Sequence, residues 1–145
     1  MKYLFINPET GEHEVYNNQK IANFLEVHLD EFGDKNQHIL KAIEYSLDSK
    51  RGGFVVLGLD GQQIFGAVVV NETGMGGYIP ENILVYIAVD SAYRGKGLGK
   101  GLMQEALKNA KGAVALHVEP NNPAKILYEK LGFTNKYLEM RYQPH

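Results

Sequence analysis

The feature that most constrains this chain is a glycine-rich run, R-G-K-G-L-G-K-G, at 94–101. An apolar, β-branched stretch at 83–89 precedes it, and a segment with apolar residues at helical spacing follows it. A strand, a glycine loop and a helix in that order leave backbone amides and the positive end of the helix dipole facing outward. Arg94, Lys96 and Lys100 add positive charge around the loop. The segment is therefore predicted to hold a pyrophosphate group.

The glycines of this run require a physical reason. Gly99 and Gly101 fall in the first turns of the predicted helix, where glycine is about 1 kcal/mol less favourable than alanine. Close approach of the backbone to a ligand would explain all four glycines of the run. The alternative is a glycine-rich turn with a solvated basic rim, and spacing alone leaves both interpretations open.

Two common phosphate-binding motifs do not fit the run. The dinucleotide pattern G-x-G-x-x-G fails because Lys100 and Leu102 stand where its third glycine is needed. The pattern G-x-x-x-x-G-K-[ST] of nucleotide triphosphate sites fails because Arg94 replaces its first glycine and Gly101 stands at its hydroxyl position. A nucleotide-binding domain that uses the loop for ATP is therefore disfavoured.

The run does fit the pattern R/Q-x-x-G-x-G/A, through Arg94, Gly97 and Gly99. With its flanking strand and helix it resembles the acetyl-CoA loop of the GCN5-related N-acetyltransferases, the GNAT superfamily. A second segment, N-N-P-A-K-I-L-Y-E-K-L-G-F at 121–133, is similar to the closing signature of that family. The close resemblance covers 83–133, and the part of the chain before it follows the family only in element order.

Periodicity and turn signals predict an α/β chain in the order β-αα-βββ-α-β-α-β(β). This order indicates a mixed, mostly antiparallel central sheet with helices on both faces, in one domain over 1–145, and the resemblance implies the acyl-CoA N-acyltransferase fold. The predicted strands are 2–7, 54–59, 64–70, 83–89, 113–118 and a closing pair near 133–143, and the predicted helices are 18–32, 36–48, 97–110 and 123–131.

The resemblance implies acetyl-CoA as co-substrate and assigns its contacts. The glycine loop would hold the pyrophosphate through backbone amides, the preceding strand would offer backbone groups to the pantetheine arm, and Asn121 would bond that arm. Spacing to Tyr128 favours Asn121, but the choice between Asn121 and Asn122 stays open at this point. The implied cofactor-binding residues are Ile87, Val89, Arg94, Gly95, Lys96, Gly97, Leu98, Gly99, Lys100, Asn121 and Tyr128.

Tyr128 is the candidate general acid. The pKa of a phenol, about 10, is close enough to that of a thiolate for proton delivery to the departing thiol. The alternative is a core tyrosine, because Tyr128 lies on the apolar face of its predicted helix. The chain has no cysteine, which excludes a cysteinyl acyl-enzyme and favours direct attack by the amine in a ternary complex.

The general base has no clear sequence signal. Some members of the family use Glu or His on the strand before the loop, where this chain has Ile83 and Val85. His117, on the next predicted strand, has a suitable intrinsic pKa and is the candidate base, with packing on that strand as an equal alternative. Further acidic candidates near the mouth of the site are Glu72, Glu81 and Glu119.

Composition limits the remaining classes. A net charge of −2 gives no electrostatic argument for nucleic acid, and no apolar run approaches the length of a membrane span. The histidines show no metal-ligand spacing with one another, so no metal is expected. We expect a cytoplasmic protein that acts without a nucleic-acid or membrane partner.

The sequence thus predicts an N-acetyltransferase that moves the acetyl group of acetyl-CoA to a primary amine of a small molecule or peptide. The alternative is a non-catalytic acyl-CoA-binding module or sensor of the same fold. The closing strand pair is a feature that often makes dimers in the resembled family, so a homodimer is included in the expectation.

Overall fold

A computed structural model describes residues 1–144, and His145 lies outside the described residues. Four helices and five strands form in the predicted order. The strands are β1 (Lys2–Ile6), β2 (Gly53–Asp60), β3 (Gln63–Glu72), β4 (Asn82–Val89) and β5 (Val114–Leu116). The helices are α1 (Asn18–His28), α2 (Asn36–Leu47), α3 (Leu98–Asn109) and α4 (Ala124–Lys130), with short 3₁₀ turns at Asp30–Phe32 and Ser91–Tyr93.

The five strands form one mixed sheet in the order β1-β2-β3-β4-β5. The first four pair antiparallel, and β5 pairs parallel to β4. Helices α1 and α2 bury Ile21, Leu25 and Ile43 against one face of the sheet. Helix α3 buries Leu102 and α4 buries Tyr128 against the other face. The predicted mixed, mostly antiparallel sheet with helices on both faces is confirmed.

Helix α1 is shorter than the predicted helix at 18–32. It ends at His28, and the chain continues through Leu29 into a 3₁₀ turn. Asp30 has a φ of 54°, in the left-handed region, and this breaks the helical path. The apolar residues at helical spacing continue beyond His28 in the sequence because Leu29 and Phe32 still face the interior of the protein, although they are no longer in the helix.

The predicted closing strand pair near 133–143 is wrong. After α4, the described residues from 133 onward pair with no strand. The alternating pattern of this segment is typical of a strand, but a strand needs an adjacent edge to pair with. The neighbouring edge, β5, is only three residues long, half of the predicted 113–118. In the segment after Phe133, four large apolar side chains are at least 80% exposed: Tyr137, Leu138, Met140 and Tyr142.

Two irregularities of β4 shape the region beside the glycine loop. Leu84 and Tyr86 lie opposite consecutive residues of β3, so Val85 is the extra residue of a β-bulge. Pairing between β4 and β5 stops at Leu84 and Leu116. Beyond this point the two parallel strands separate, and a gap opens at their carboxyl ends, where open α/β sheets bind ligands.

Candidate active site

A cavity of about 300 Å³ lies where β4 and β5 separate. Its walls come from the turn between α1 and α2, the end of β4, the start of α3 and the start of α4. The lining residues are His28, Leu29, Asp30, Phe32, Ile87, Ala88, Val89, Arg94, Gly99, Asn122, Pro123, Ala124, Leu127 and Tyr128. A second cavity of about 380 Å³ lies beyond His28, between α1 and the β2–β3 turn, and contains none of the sequence-predicted site residues.

The end of β4 presents main-chain groups to the first cavity. The Asp90 amide donates to the Phe65 carbonyl of β3 at 2.8 Å. Because main-chain groups alternate sides along a strand, those of Ile87 and Val89 point away from β3 and toward the separation. The Val89 carbonyl accepts a hydrogen bond from Arg94 Nε at 3.0 Å. The pantetheine contacts of Ile87 and Val89 stay predictions.

The first turn of α3 has free donors. Gly97 precedes the helix with a φ of 76° and supplies no side-chain cap, and the first intrahelical bond runs from the Gly101 amide to the Gly97 carbonyl at 3.2 Å. The amides of Leu98, Gly99 and Lys100 therefore lack intrahelical partners. Three amides at the positive end of a helix dipole form a site suited to an anion.

The four glycines of the run serve different purposes. Gly95 and Gly97 have φ of 82° and 76°, in the left-handed region that favours glycine. A Cβ at Gly101 would lie 2.6 Å from Tyr3 Oη, so Gly101 makes room for a protein side chain. The expectation that a ligand explains all four glycines is therefore wrong, because three have reasons within the protein.

Gly99 is the glycine that fits a bound ligand. It lines the cavity, and a Cβ there would meet Val89 Cγ2 at 3.7 Å and Leu127 Cδ2 at 3.8 Å, which are ordinary contacts. Neither the protein's packing nor a left-handed φ excludes alanine at this position. Gly99 thus brings its backbone to the cavity wall beside the unpaired amides of Leu98 and Lys100.

The basic side chains of the loop have different surroundings. Arg94 donates to protein acceptors on β4 and at the end of α1. Lys96 places its Nζ over the Tyr93 ring, 5.6 Å from the centroid. Lys100 is exposed on the first turn of α3. Their contacts with a cofactor, like those of Gly95 and Leu98, stay predictions.

Tyr128 is a buried residue of the cavity lining. Its side chain is 8% exposed and its ring lies 6.0 Å from that of Phe133. Burial raises the pKa of the Tyr128 phenol above its ordinary value. Within residues 1–144 its hydroxyl makes no hydrogen bond to another residue. The phenol thus keeps its proton at neutral pH and has no protein partner for it.

The structure separates Asn121 from Asn122. Asn122 lines the cavity, and its Oδ1 accepts from the Ala124 amide at 2.9 Å, which caps α4. Asn121 is exposed and is not part of the lining. The geometry thus favours Asn122 as the residue near a ligand, and the assignment of Asn121 stays a prediction.

The candidate bases lie away from the cavity lining. His117 is exposed beyond the end of β5, and because Leu116 and Val118 pack toward α3 and α4, it lies on the opposite face. Glu81 accepts from the Ala113 amide at 2.9 Å, and this hydrogen bond lowers the pKa of its carboxyl. Glu81 is therefore engaged in joining β4 to β5.

The turn between α1 and α2, residues 29–35, is a wall of the cavity that the sequence did not indicate. Tyr86 Oη donates to Asp34 Oδ2 at 2.9 Å, and burial with this carboxylate raises the pKa of the Tyr86 phenol. His28 Nε2 lies 3.6 Å from Asp90 Oδ2. Such pairs join residues more than fifty positions apart, so no local sequence pattern marks them.

The described residues contain neither a cluster of metal-binding side chains nor a helix suited to a membrane. Across residues 1–144, no three His, Asp or Glu side chains come together in a way that could hold a metal ion. None of the helices in this part of the chain combines the length and the apolar character needed to cross a membrane.

The chain matches known proteins in sequence. The family model described as "Acetyltransferase (GNAT) domain" matches residues 50–135. The mycothiol acetyltransferase of Corynebacterium glutamicum strain R is 43% identical over 81 residues, which are 52% of this chain and 26% of that protein. The chain thus spans only about a quarter of that curated relative's length.

Solved structures resemble the whole chain. The aminoglycoside N-acetyltransferase AAC(6')-Iy in complex with CoA has a TM-score of 0.67 at 15% identity, covering 99% of this chain and 93% of that chain. A transcriptional regulator from Bacillus halodurans C-125 also has a TM-score of 0.67, at 18% identity, covering 98% and 99%. At these identities the likeness shows the fold alone, and it agrees with the predicted fold class.

Proposed function

The chain belongs to the GNAT acetyltransferase family, and from this membership we propose that it transfers the acetyl group of acetyl-CoA to a primary amine by direct attack in a ternary complex. The observation that carries the proposal is the cavity of about 300 Å³ at the separation of β4 and β5, which Gly99 lines. That space lies beside three helix amides without intrahelical partners. A thin chain ending in a diphosphate fits this combination of shape and donors.

The residues around the cavity would divide the binding of acetyl-CoA among them. The amides of Leu98, Gly99 and Lys100 would hold the diphosphate, and main-chain groups of Ile87 and Val89 would bond the pantetheine arm. Bound acetyl-CoA would supply an acetyl group activated as a thioester. The apolar lining from β4 and α4 would exclude water from that group.

Tyr128 is proposed as the general acid. Its phenol is protonated at neutral pH because burial raises its pKa, and its hydroxyl has no partner within the described chain. It would hold a proton for the departing thiol, a role that is typically worth about 10²–10⁴-fold in rate. His117 lies outside the cavity lining, and it is proposed to take the proton from the amine through water.

We propose a small-molecule or peptide amine as acceptor. The named relatives in this family include a mycothiol acetyltransferase and an aminoglycoside N-acetyltransferase, which supports a small-molecule amine. We further propose that the activity is cytoplasmic, because the reaction consumes acetyl-CoA. A homodimer is also proposed, on the exposed apolar segment that follows α4.

The experiment that tests the proposal has a binding part and a turnover part. Acetyl-CoA at about 100 times its Kd should stabilise the protein by about 2.7 kcal/mol in thermal unfolding, whereas ATP should not. A panel of polyamines, aminoglycosides, amino acids and peptide N-termini should then identify an acceptor through release of free CoA thiol. Binding without release for any amine would favour the sensor alternative, and no stabilisation by acetyl-CoA would contradict both.

A further inference from the structure

The Arg94 side chain, which the family motif assigns to the cofactor, is held by acceptors of the protein itself. Nη2 donates to the His28 carbonyl at 2.8 Å and Nη1 donates to Asp30 Oδ2 at 3.1 Å. Nε donates to the Val89 carbonyl at 3.0 Å. All three nitrogens of the guanidinium thus bond to protein acceptors, one at the end of α1, one in the 29–35 turn and one at the end of β4. We call this set of contacts the Arg94 clasp.

Each acceptor of the clasp lies at the end of an element. The His28 carbonyl is in the last turn of α1, where carbonyls lack intrahelical donors and a cation is favoured by the helix dipole. Asp30 is in the left-handed conformation with a φ of 54°, and its carboxylate reaches Arg94 from there. The Val89 carbonyl ends β4. The clasp therefore joins the beginning of the 29–35 turn to β4.

A second contact fixes the other end of the same turn. The hydroxyl of Tyr86, on β4, donates to Asp34 Oδ2 at 2.9 Å. Between the two attachments, Leu29 and Phe32 line the cavity opposite α4. The turn is thus attached to β4 at both ends, and the position of the turn sets the width of the cavity.

We propose that Arg94 is a positioning residue, which holds the 29–35 turn as a wall of the acyl-transfer site rather than binding the diphosphate with its side chain. The inference rests on the proposed function. The carboxylate of Asp30 neutralises the guanidinium, and the planar fork of arginine matches three fixed acceptors that a lysine could not serve together. The Arg94 and Asp30 side chains are 46% and 59% exposed, so the pair adds little to global stability.

The test compares Arg94→Ala, Arg94→Lys and Asp30→Asn with wild type. Asparagine tolerates the left-handed conformation, so Asp30→Asn removes the charge without backbone strain. Lys108→Ala, which removes a 76% exposed positive charge from α3, is the matched control. Two readouts are measured: hydrogen–deuterium exchange of residues 29–35, and kcat/KM with acetyl-CoA and with S-acetylpantetheine, which has no diphosphate.

We expect both Arg94 variants to increase exchange in the turn and to lower kcat/KM roughly tenfold with both donors. Asp30→Asn should lower it about threefold, and the Arg94→Ala, Asp30→Asn double variant should be no worse than Arg94→Ala alone. The control should match wild type. Equal loss with both donors is the signature of positioning, because a phosphate contact can matter only for the donor that carries phosphate.

Two results would overturn the inference. One is a loss confined to acetyl-CoA and largely rescued by Arg94→Lys, since a lysine charge can replace a direct phosphate contact. The other is unchanged exchange of residues 29–35 in Arg94→Ala. The exchange measurement is made on the free protein, so it decides the inference even if wild type binds no acetyl-CoA, which would instead contradict the proposed function.

Discussion

Gly99 and Gly101 lie two residues apart in α3, yet different neighbours account for them. Tyr3 Oη occupies the space that a Cβ of Gly101 would need, whereas a Cβ of Gly99 would make only ordinary contacts with Val89 and Leu127 at the cavity wall. Glycine at position 101 thus has a packing reason within the protein, whereas the reason proposed for glycine at position 99 is a bound ligand. This difference allows the binding role of the loop to be tested apart from its folding role.

Replacing Gly99 with alanine should weaken acetyl-CoA binding without harming the fold. The added methyl group makes only ordinary contacts with Val89 and Leu127, and alanine is up to about 1 kcal/mol better than glycine in a helix. In the cavity it should cost about 1–3 kcal/mol of cofactor affinity, as overpacking does. Calorimetric titration and thermal unfolding measure the two effects. Unchanged affinity in a folded variant would contradict binding over Gly99.

Replacing Tyr128 with phenylalanine should leave acetyl-CoA binding intact and lower kcat by about 10²–10⁴-fold. The ring keeps its packing against Phe133, so only the hydroxyl is lost. Phe133→Leu, which perturbs the same packing and keeps the hydroxyl, is the control in steady-state assays of CoA release. If Tyr128→Phe turns over at the wild-type rate, Tyr128 is a core tyrosine and not the acid.

The raised pKa of Tyr128 predicts the direction of a pH effect. The acid must be protonated, so no loss of rate from this group is expected below the ordinary phenol pKa of about 10. Because the pKa of Tyr128 is higher in the folded state than in the unfolded state, its contribution to stability is fully present below pH 10. This contribution is lost as the pH rises through the pKa of the folded state. Phenolate absorbance of wild type minus Tyr128→Phe should show a group that titrates above pH 10. A group that titrates below it would contradict the burial argument.

At the scale of elements, Gly101 on α3 leaves room for the hydroxyl group of Tyr3 on β1. Gly101→Ala should gain less stability than helix propensity predicts, by up to about 1 kcal/mol, because the hydroxyl end of the half-exposed Tyr3 side chain must shift. In a Tyr3→Phe background the same change should be neutral or stabilising by up to about 1 kcal/mol, through helix propensity. Chemical denaturation of the four proteins of this cycle gives the coupling. Additive effects would mean that Tyr3 does not limit the space at Gly101.

The separation of β4 and β5 is the element-scale feature on which the site depends. Pairing stops at Leu84 because the bulge at Val85 changes the path of β4. Glu81 secures the paired end by accepting from the Ala113 amide. The strands are thus joined firmly at one end and apart at the other, which places main-chain groups of β4 beside the first turn of α3.

At the scale of the whole molecule, the segment after α4 exposes four large apolar side chains between residues 137 and 142. Exposed apolar side chains grouped along one segment are a feature of interaction sites, and they are the basis of the proposed homodimer. A chain that ends at Phe133 should stay folded, with its unfolding free energy within about 1 kcal/mol, since the removed residues add nothing to the core. Light scattering after size exclusion should show fewer dimers.

A full-length variant with Leu138→Ser and Met140→Ser separates the loss of apolar surface from the loss of chain. It should show the same shift toward monomer as the truncated chain. Large destabilisation of both forms without any change in mass would mean instead that the segment packs on its own protomer.

Sequence alone determined the order of elements through α4 and the family. These follow from local rules: the strand, glycine loop and helix around 94–101 are set by neighbours in the chain, as is the helix that carries Tyr128. The periodicity failed at residues 29–32 and after Phe133, where the outcome depended on a left-handed Asp30 and on the length of β5.

Only the tertiary structure decided which side chains meet at the site. Arg94 reaches His28 and Asp30 across more than sixty residues, and Tyr3 accounts for Gly101 from the far edge of the sheet. Sequence spacing favoured Asn121, whereas in the folded chain it is Asn122 that lines the cavity. Such contacts depend on where distant elements come to rest, and the energy that fixes them is spread over the whole core rather than encoded in any local pattern.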